Sequence, residues 1–579
     1  MLRRLLAGCL AGGLLVQSVA ALTCPPDVGG PVVGRTPVST ELSGRAAAAA
    51  NGAEVLEDAF YALAVLQDSY FVAVNGTWPS SIDWTGAVVE TVVSGMLTTL
   101  TRSLSSNNPG SDVDWKQKEN LISSVYAQVV HSFFGQDALA IANQAYDDML
   151  WVVLGWLEAT SFVRLHSELH YPGTGHDCNH LPIQLGQAMQ TSSWQGYSWL
   201  CTFADRARAF WDLASVGWDT KLCHGGMTWN PRLTPYKNAI TNELWISASI
   251  AMYQHFPNDT FEPSWAAAKG FAAKDPVYLA AAVEGYSWLK GVNMTNQQGL
   301  YVDGYHIDGT KPGNVECDQR DETVYTYNQG VILTGQRGLW SVTGSASYLE
   351  EGHRLIKSVI NATGWDLGKN TPVDPPGGGL QPWRGIGRGG ILEDQCDASG
   401  TCSQDAQAFK GIFFHHLTAF CAPIEPIVDD GMTVNMQKYR NVEATHAQTC
   451  RAYLGWVKHN VDGALETRDG AGRFGMWWGA GARTSGVLTE RDDDISHMAP
   501  KSTDYRNKGT PQDKIWGENK WEPGSKTVKL PCHGLANGPR DLRREASADP
   551  ADPNNRGRGR TVETQVGGLA LLRAYWELS

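Results

Sequence analysis

Charge is scarce in this chain of 579 residues: Asp, Glu, Lys and Arg make up 18% against 42% hydrophobic residues. That balance excludes a chain that stays unfolded, which requires low hydrophobicity and high charge. Positive charge is scarcer still. With 47 Lys and Arg against 60 Asp and Glu, the formal net charge is −13, which argues against a nucleic-acid backbone as the main partner. Beyond the N-terminal segment there is no run of about 18 apolar residues, so no transmembrane helix is expected. Alternating strand-type patterns are scarce and no repeat of fixed period is visible, which speaks against a solenoid. CxxC pairs and HExxH are missing, so no structural zinc and no other metal is expected.

What is present begins with a secretory pattern. Residues 1–21 carry Arg3 and Arg4, an apolar stretch over 5–16, and small residues at Ser18, Ala20 and Ala21, as a signal peptide does. Cys9 leaves with it and ten cysteines remain; an even number in a secreted chain implies disulfides. Cys396 and Cys402 bracket the turn DASGT and are candidates for a local pair, while the remaining connectivity stays open. Asn75, Asn258, Asn293 and Asn361 head N-x-S/T sequons and are candidate glycan sites. The C-terminal AYWELS lacks the hydrophobic tail of a lipid-anchor signal. The expected location is outside the cell, in the medium or the wall.

Apolar positions at three- and four-residue spacing, separated by Gly, Pro and Asn, predict helices near 46–73, 84–105, 116–135, 138–166, 198–215, 236–256, 277–291, 325–344, 346–362, 405–420, 432–459 and 561–577. Twelve such segments suit an all-α toroid of helical hairpins, six inner and six outer, with a cleft built from the loops that lead into the inner helices. Residues 364–404, with DPPGGG and GIGRGG, read as non-helical. GIGRGG lacks the preceding strand of a phosphate-binding loop and reads as a flexible loop. The polar stretch at about 489–560 reads as a long insertion before a last helix that must dock back on the main body. The organisation is therefore 1–21 signal peptide, 22–45 N-terminal extension and 46–579 a single domain.

The most informative segment is NQAYDDMLWVVLGWLE at 143–158. Asp147 and Asp148 precede an apolar run that would be buried nearly all round. Two charges in that position either cap the helix or face a solvated cleft, because burying them unpaired is expensive. Neighbouring helical residues project about 100° apart, so the two carboxylates can flank one bound bond. Their mutual repulsion separates the pKa values, the division a retaining glycosidase uses between nucleophile and acid/base. The 22 tryptophans suit a saccharide ligand.

The segment around this pair resembles the paired-aspartate motif of glycoside hydrolase family 76, the endo-α-1,6-mannanases. Further blocks are similar in order: GGMTWN at 225–230, PYKNAITNEL at 235–244, TYNQGVILTG at 326–335, GGILEDQC at 389–396, QAFKGIFFHHL at 407–417, FGMWW at 474–478 and VETQVGGLALL at 562–572. The resemblance spans most of the chain from about residue 50. It implies an (α/α)6 barrel that cleaves α-1,6-mannosidic linkages with retention, Asp147 acting as nucleophile and Asp148 as acid/base. No metal or organic cofactor is implied. The partner is α-1,6-linked mannan or a mannose-containing cell-wall glycan, and oligomeric state stays open. The residues alone support the pair without dividing its two roles.

Other candidates for substrate binding are Tyr327, Asn328 and Gln329 at the start of an apolar run, where capping is the alternative. Asn242 and Glu243 interrupt an apolar helix, as cavity-lining groups or as a core pair in which Lys237 neutralises Glu243. Trp229 and Trp477 are candidates for stacking on mannose or for plain core packing. Lys410 either pairs with a cleft carboxylate or is solvated. His415 and His416, adjacent on a helix, do not face one ligand and are not read as a metal site. Three functions compete with hydrolysis. A transglycosidase shares the covalent step and passes the sugar to another glycan, such as wall glucan. A polysaccharide lyase would want a cluster of Arg and His in its cleft, which these blocks lack. The third is a mannan-binding protein without catalysis, against which the retained aspartates argue.

Overall fold

Helix dominates because proline falls between the apolar runs and not within them. The computed structural model describes residues 52–104, 113–172, 194–259, 276–374, 379–423, 436–482, 552–555 and 558–579. The segments read as signal peptide and N-terminal extension, and residues 489–551 of the polar insertion, lie outside the described residues. Among the described residues the longer helices are α1 (Gly52–Tyr70), α2 (Asp83–Ser103), α3 (Val113–Gly135), α4 (Tyr146–His170), α5 (Leu200–Ser215), α6 (Ala239–His255), α7 (Val277–Gly291), α8 (Val331–Thr343), α9 (Ala346–Ala362), α10 (Phe409–Cys421), α11 (Met436–Arg451), α12 (Leu454–Glu466) and α13 (Val562–Leu578).

Six of these close a ring. Helix α2 packs on α4, α4 on α6, α6 on α8, α8 on α10, α10 on α13, and α13 returns to α2. Around them, α3 packs on α2, α5 on α4, α7 on α6, α9 on α8, and both α12 and α1 on α13. This is an all-α (α/α)6 barrel, as expected. The inner helices are apolar nearly all round because they are covered on both sides; α4 and α6 bury most of their residues. Tryptophans fill the space between inner and outer layers. Trp211 of α5 stacks on Trp245 of α6 at 4.8 Å, and Trp156 of α4 stacks on Phe203 of α5 at 4.9 Å. Backbones meet where glycine permits: a Cβ on Gly411 of α10 would lie 2.6 Å from Gly567 Cα of α13.

The structure departs from the predicted segments in identifiable places. The helix predicted near 138–166 breaks into a single turn, Ala138–Ile141, and α4. The one near 432–459 divides into α11 and α12. Strands β1 (Tyr236–Asn238), β2 (Gly304–His306) and β3 (Gln319–Asp321) form an antiparallel sheet that local periodicity did not reveal, because β1 pairs with a segment remote in sequence. In the Gly/Pro-rich stretch, β4 (Trp365–Asp366) pairs with β5 (Thr371–Pro372) and β6 (Gly387–Arg388) with β7 (Ile391–Leu392), so GIGRGG is a ribbon where a flexible loop was expected. The end of the predicted insertion is packed: Asn554 Oδ1 accepts from Trp477 N at 2.7 Å, and Arg560 donates to Asp552 and to the Thr467 carbonyl, both at 2.7 Å. Disulfides join Cys223 to Cys317, Cys396 to Cys402, and Cys421 to Cys450; Cys201 is also disulfide-bonded. Among the described residues no helix is long and apolar enough to cross a membrane.

The barrel interior holds ionisable groups. Glu90 of α2 is 3% exposed and lies against Gly155 of α4, where a Cβ would collide with its Oε2. Ser94 donates to it at 2.8 Å, yet burial pushes its pKa from 4.5 up to about 8. A raised acid contributes stability that is fully present below the unfolded value and is lost as pH rises through the folded one. Ionisation of the unfolded chain therefore costs about 3 kcal/mol of stability by pH 7. Glu90→Gln keeps an acceptor for Ser94 and removes the titration. Denaturant unfolding at pH 5 and pH 7 should show a smaller difference in the variant; an unchanged difference would rule Glu90 out as its source.

Candidate active site at the mouth of the inner ring

One outer helix separates successive inner helices from α2 to α10, so these five run the same way, and contacts place the start of α13 at the same end. Side-chain contacts mark that common level. Thr85 of α2 donates to Glu563 of α13 at 2.7 Å, Thr561 before α13 donates to Gln407 before α10 at 2.8 Å, and Tyr327 before α8 stacks on Phe409 of α10 at 3.8 Å.

Asp147 and Asp148 occupy the first turn of α4 at this end, 8% and 3% exposed. Asp148 Oδ2 accepts from Ala145 N at 3.2 Å, and Asp147 Oδ1 accepts from Asp148 N at 3.1 Å. Tyr146 N donates to the Trp229 carbonyl at 2.9 Å, which ties the start of α4 to the loop before α6. Capping and a place at the mouth are therefore both true of the pair, since an N-terminus supplies N–H donors and a positive dipole end to carboxylates.

The surroundings are strongly polar. Arg232, from the loop that Trp229 opens, lies within electrostatic reach of Asp148 and Tyr146; burial lowers its pKa and the Asp148 charge opposes that. Tyr327 is pushed well above 10 by burial first and then by the Asp303 and Asp147 charges. Asp303 is pushed up to about 6 by burial, opposed by hydrogen bonds from Tyr236 and Asn328; the Tyr236 hydroxyl donates to it at 2.6 Å. Glu243 is fully buried on α6, neither carboxylate oxygen has a hydrogen-bond partner, and burial together with Asp303 raises its pKa well above 4.5. So many carboxyl groups under cover are costly for folding alone, which makes this opening a candidate functional site.

Of the predicted substrate-binding residues, Trp229, Tyr327, Asn328 and Glu243 gather around this opening. The other four are held in structural contacts. Asn242 clamps the Met227 backbone, accepting at 2.7 Å and donating at 3.2 Å. Gln329 clamps Tyr301 at 2.8 and 2.9 Å. Trp477 is 1% exposed and donates Nε1 to Glu393 at 2.8 Å. Lys410 is 2% exposed and pairs with Asp397, so the solvated alternative does not hold. The suggested Lys237–Glu243 pair does not form either: Lys237 donates to the Gly226 carbonyl at 2.6 Å and faces Asp219 at 3.6 Å, because its strand points it back under the loop. His415 meets Arg573 at 3.1 Å and His416 meets Thr334 at 2.6 Å, partners that use the two rings separately. Asn75, Asn258, Asn293 and Asn361 are all exposed.

Arg232, Tyr236, Asp303 and Asp397 were not anticipated. Tyr236 and Asp397 lie within or beside quoted blocks, and Asp303 sits in YVDGYH just before β2, where an acid among aromatic residues is a signal on charge alone.

The sequence profile described as glycosyl hydrolase family 76 matches residues 195–469. The mannan endo-1,6-alpha-mannosidase DCW1 of Saccharomyces cerevisiae is 25% identical over 217 residues, 36% of this chain and 38% of the relative. The protein of that name from Candida albicans is 23% identical over 233 residues, 38% of this chain and 42% of the relative. The matched region thus spans about two fifths of these relatives' length. Among solved structures, an inactive variant of the α-1,6-mannanase GH76A of Salegentibacter sp. HEL1_6 in complex with α-1,6-mannotriose aligns at TM-score 0.46 and 15% identity, covering 91% of this chain and 100% of that one. Dfg5 of Chaetomium thermophilum in complex with glucosamine aligns at TM-score 0.42 and 13% identity, covering 74% and 84%.

Proposed function

We propose, from the match of residues 195–469 to the glycosyl hydrolase family 76 profile, that the chain is a member of that family and a secreted, retaining endo-acting hydrolase of α-1,6-mannosidic linkages in mannan or cell-wall glycans. The observation that carries this reading is the pair of buried, adjacent carboxylates in the first turn of an inner helix, at the end where all six inner helices open. The α-1,6-mannan specificity comes from the names of the relatives.

In this reading Asp147 attacks the anomeric carbon, the bond to the leaving oxygen breaks, and Asp148 delivers its proton to that oxygen. A covalent mannosyl ester on Asp147 results. Asp148, now a carboxylate, takes a proton from water, and the resulting attack on the anomeric carbon breaks the ester and releases the mannan fragment with retained configuration at its new reducing end. Tyr327 and Asn328 bind sugar hydroxyls, the half-buried Trp229 offers a ring face, and Asp303 holds Tyr236 in place. No cofactor takes part. If a sugar hydroxyl replaces water in the second step, the same site performs transfer between glycans.

Product analysis on α-1,6-mannan oligosaccharides tests this. Internal cleavage should yield shorter oligosaccharides whose new reducing ends first appear as the α-anomer by NMR. Excess acceptor should leave the products unchanged for a hydrolase and generate longer chains for a transferase. Absence of any cleavage or transfer on α-1,6-mannan would refute the assignment.

A further inference from the structure

The Gly/Pro-rich stretch helps line a cavity whose walls do not include Asp147 or Asp148. The β6–β7 ribbon folds tightly because Gly387 and Gly390 adopt positive φ of 154° and 83°; a Cβ at Gly390 would lie 2.7 Å from the Trp365 ring. Beneath the ribbon lies a space of about 250 Å³, equivalent to roughly eight waters at about 30 Å³ each. Its walls combine apolar surface, from Leu380 and Ile391, with Arg388, Glu393, His459 and Trp477. None of the residues that line it belongs to the surroundings of Asp147 and Asp148.

The polar wall is a built one. Glu393 is fully buried and Arg388 is 5% exposed. Arg388 Nε donates to Glu393 Oε2 at 2.8 Å and Trp477 Nε1 donates to Glu393 Oε1 at 2.8 Å. Arg388 Nη2 is buried without a hydrogen-bond partner. A buried ion pair is poor value for stability compared with apolar packing, and one standing in the wall of a cavity with apolar surface opposite has the layout of a ligand site.

The charges decide what kind of ligand fits. Glu393 balances Arg388, Arg384 pairs with Asp374 at the rim, and burial keeps His459 below its ordinary pKa and so neutral. The lining has no surplus of positive charge, so an anion is disfavoured. Paired donors and acceptors facing apolar walls instead suit a ring with hydroxyl edges and C–H faces. We propose that this cavity binds one uncharged pyranose unit, as a carbohydrate site additional to the catalytic mouth. The two are joined by a short path: Asp394, next to Glu393, accepts from Thr326 N at 2.9 Å and Thr326 Oγ1 at 2.7 Å, and Thr326 precedes Tyr327. A sugar held here would anchor a glycan beside the site that acts on it.

Gly379 at the rim offers a clean test, because a Cβ there meets nothing within 4 Å. Binding of methyl α-D-mannopyranoside, methyl β-D-glucopyranoside and D-glucuronate is measured by calorimetry and ligand-observed NMR on the full chain carrying Asp147→Asn and Asp148→Asn, so that nothing turns over. The same titrations follow with Gly379→Trp added. A neutral glycoside should saturate, and Gly379→Trp should weaken it at least tenfold with Tm unchanged; glucuronate should not compete. Leu380→Trp fills the same space and serves if Gly379→Trp fails to fold. The proposal is overturned if no neutral glycoside saturates, if both filling variants bind as the parent does, or if glucuronate binds more tightly than the neutral sugars. The readout is binding, so a failure to cleave mannan would leave it standing.

Discussion

Asp147→Asn and Asp148→Asn, made separately, should each lower cleavage of α-1,6-mannan by about 10³-fold or more, with Tm close to the parent. Removal of a positioned general acid alone accounts for roughly 10²–10⁴, and loss of the nucleophile removes the covalent route altogether. The amide substitution is informative because of where the pair sits. Asp148 accepts from Ala145 N, and Asn caps a helix about as well as Asp, so the start of α4 survives the change. Activity lost with stability retained therefore separates a chemical role from a capping one. The two variants are also distinguishable. With Asp148→Ala, azide needs no base to attack the mannosyl ester and should restore turnover on an activated substrate, giving a mannosyl azide of retained configuration. With Asp147→Ala the ester cannot form, so the retained azide should be absent. Both Asn variants remaining as active as the parent would remove the pair from the mechanism.

The second large effect concerns stability. Lys410→Met should destabilise the fold by about 3–5 kcal/mol at neutral pH, the usual consequence of stripping one partner from a buried ion pair. Lys410 is bonded to Asp397, and Asp394 stands close enough for its charge to be felt. Burial already raises both acids, and the lysine is what opposes the rise. Without it, the folded pKa values climb further above the unfolded ones. Stability contributed by a raised acid is present at low pH and lost as pH increases, so the deficit of the variant should shrink between pH 7.5 and pH 5. Guanidinium unfolding at the two pH values measures this. The double change Lys410→Met with Asp397→Leu should recover part of the loss by removing the stranded charge; a double variant as unstable as the single one would mean that packing, and not charge, explains the effect.

The barrel was readable from the sequence because its signals are local. Apolar positions at helical spacing, broken by Gly and Pro, mark hairpin after hairpin, and a double aspartate before MLWVVLGWL is conspicuous because charge there is expensive. What the sequence did not reveal are pairings between distant segments. Tyr236 and Asp303 meet because β1 and β2 pair across the barrel mouth; Lys237 finds Asp219 and not Glu243, because strand geometry turns it away from the helix that follows. Asn242 and Gln329 looked like sugar-binding groups and became backbone clamps, since an amide among loops satisfies whichever peptide groups arrive beside it. Gly-rich GIGRGG, read as flexible, is shaped by contacts with Trp365 and His459. Local chemistry thus decided which elements form and where the paired carboxylates stand along the chain. Only closure of the ring decided which polar groups share an opening, because that depends on contacts between residues hundreds of positions apart, to which no local periodicity is sensitive.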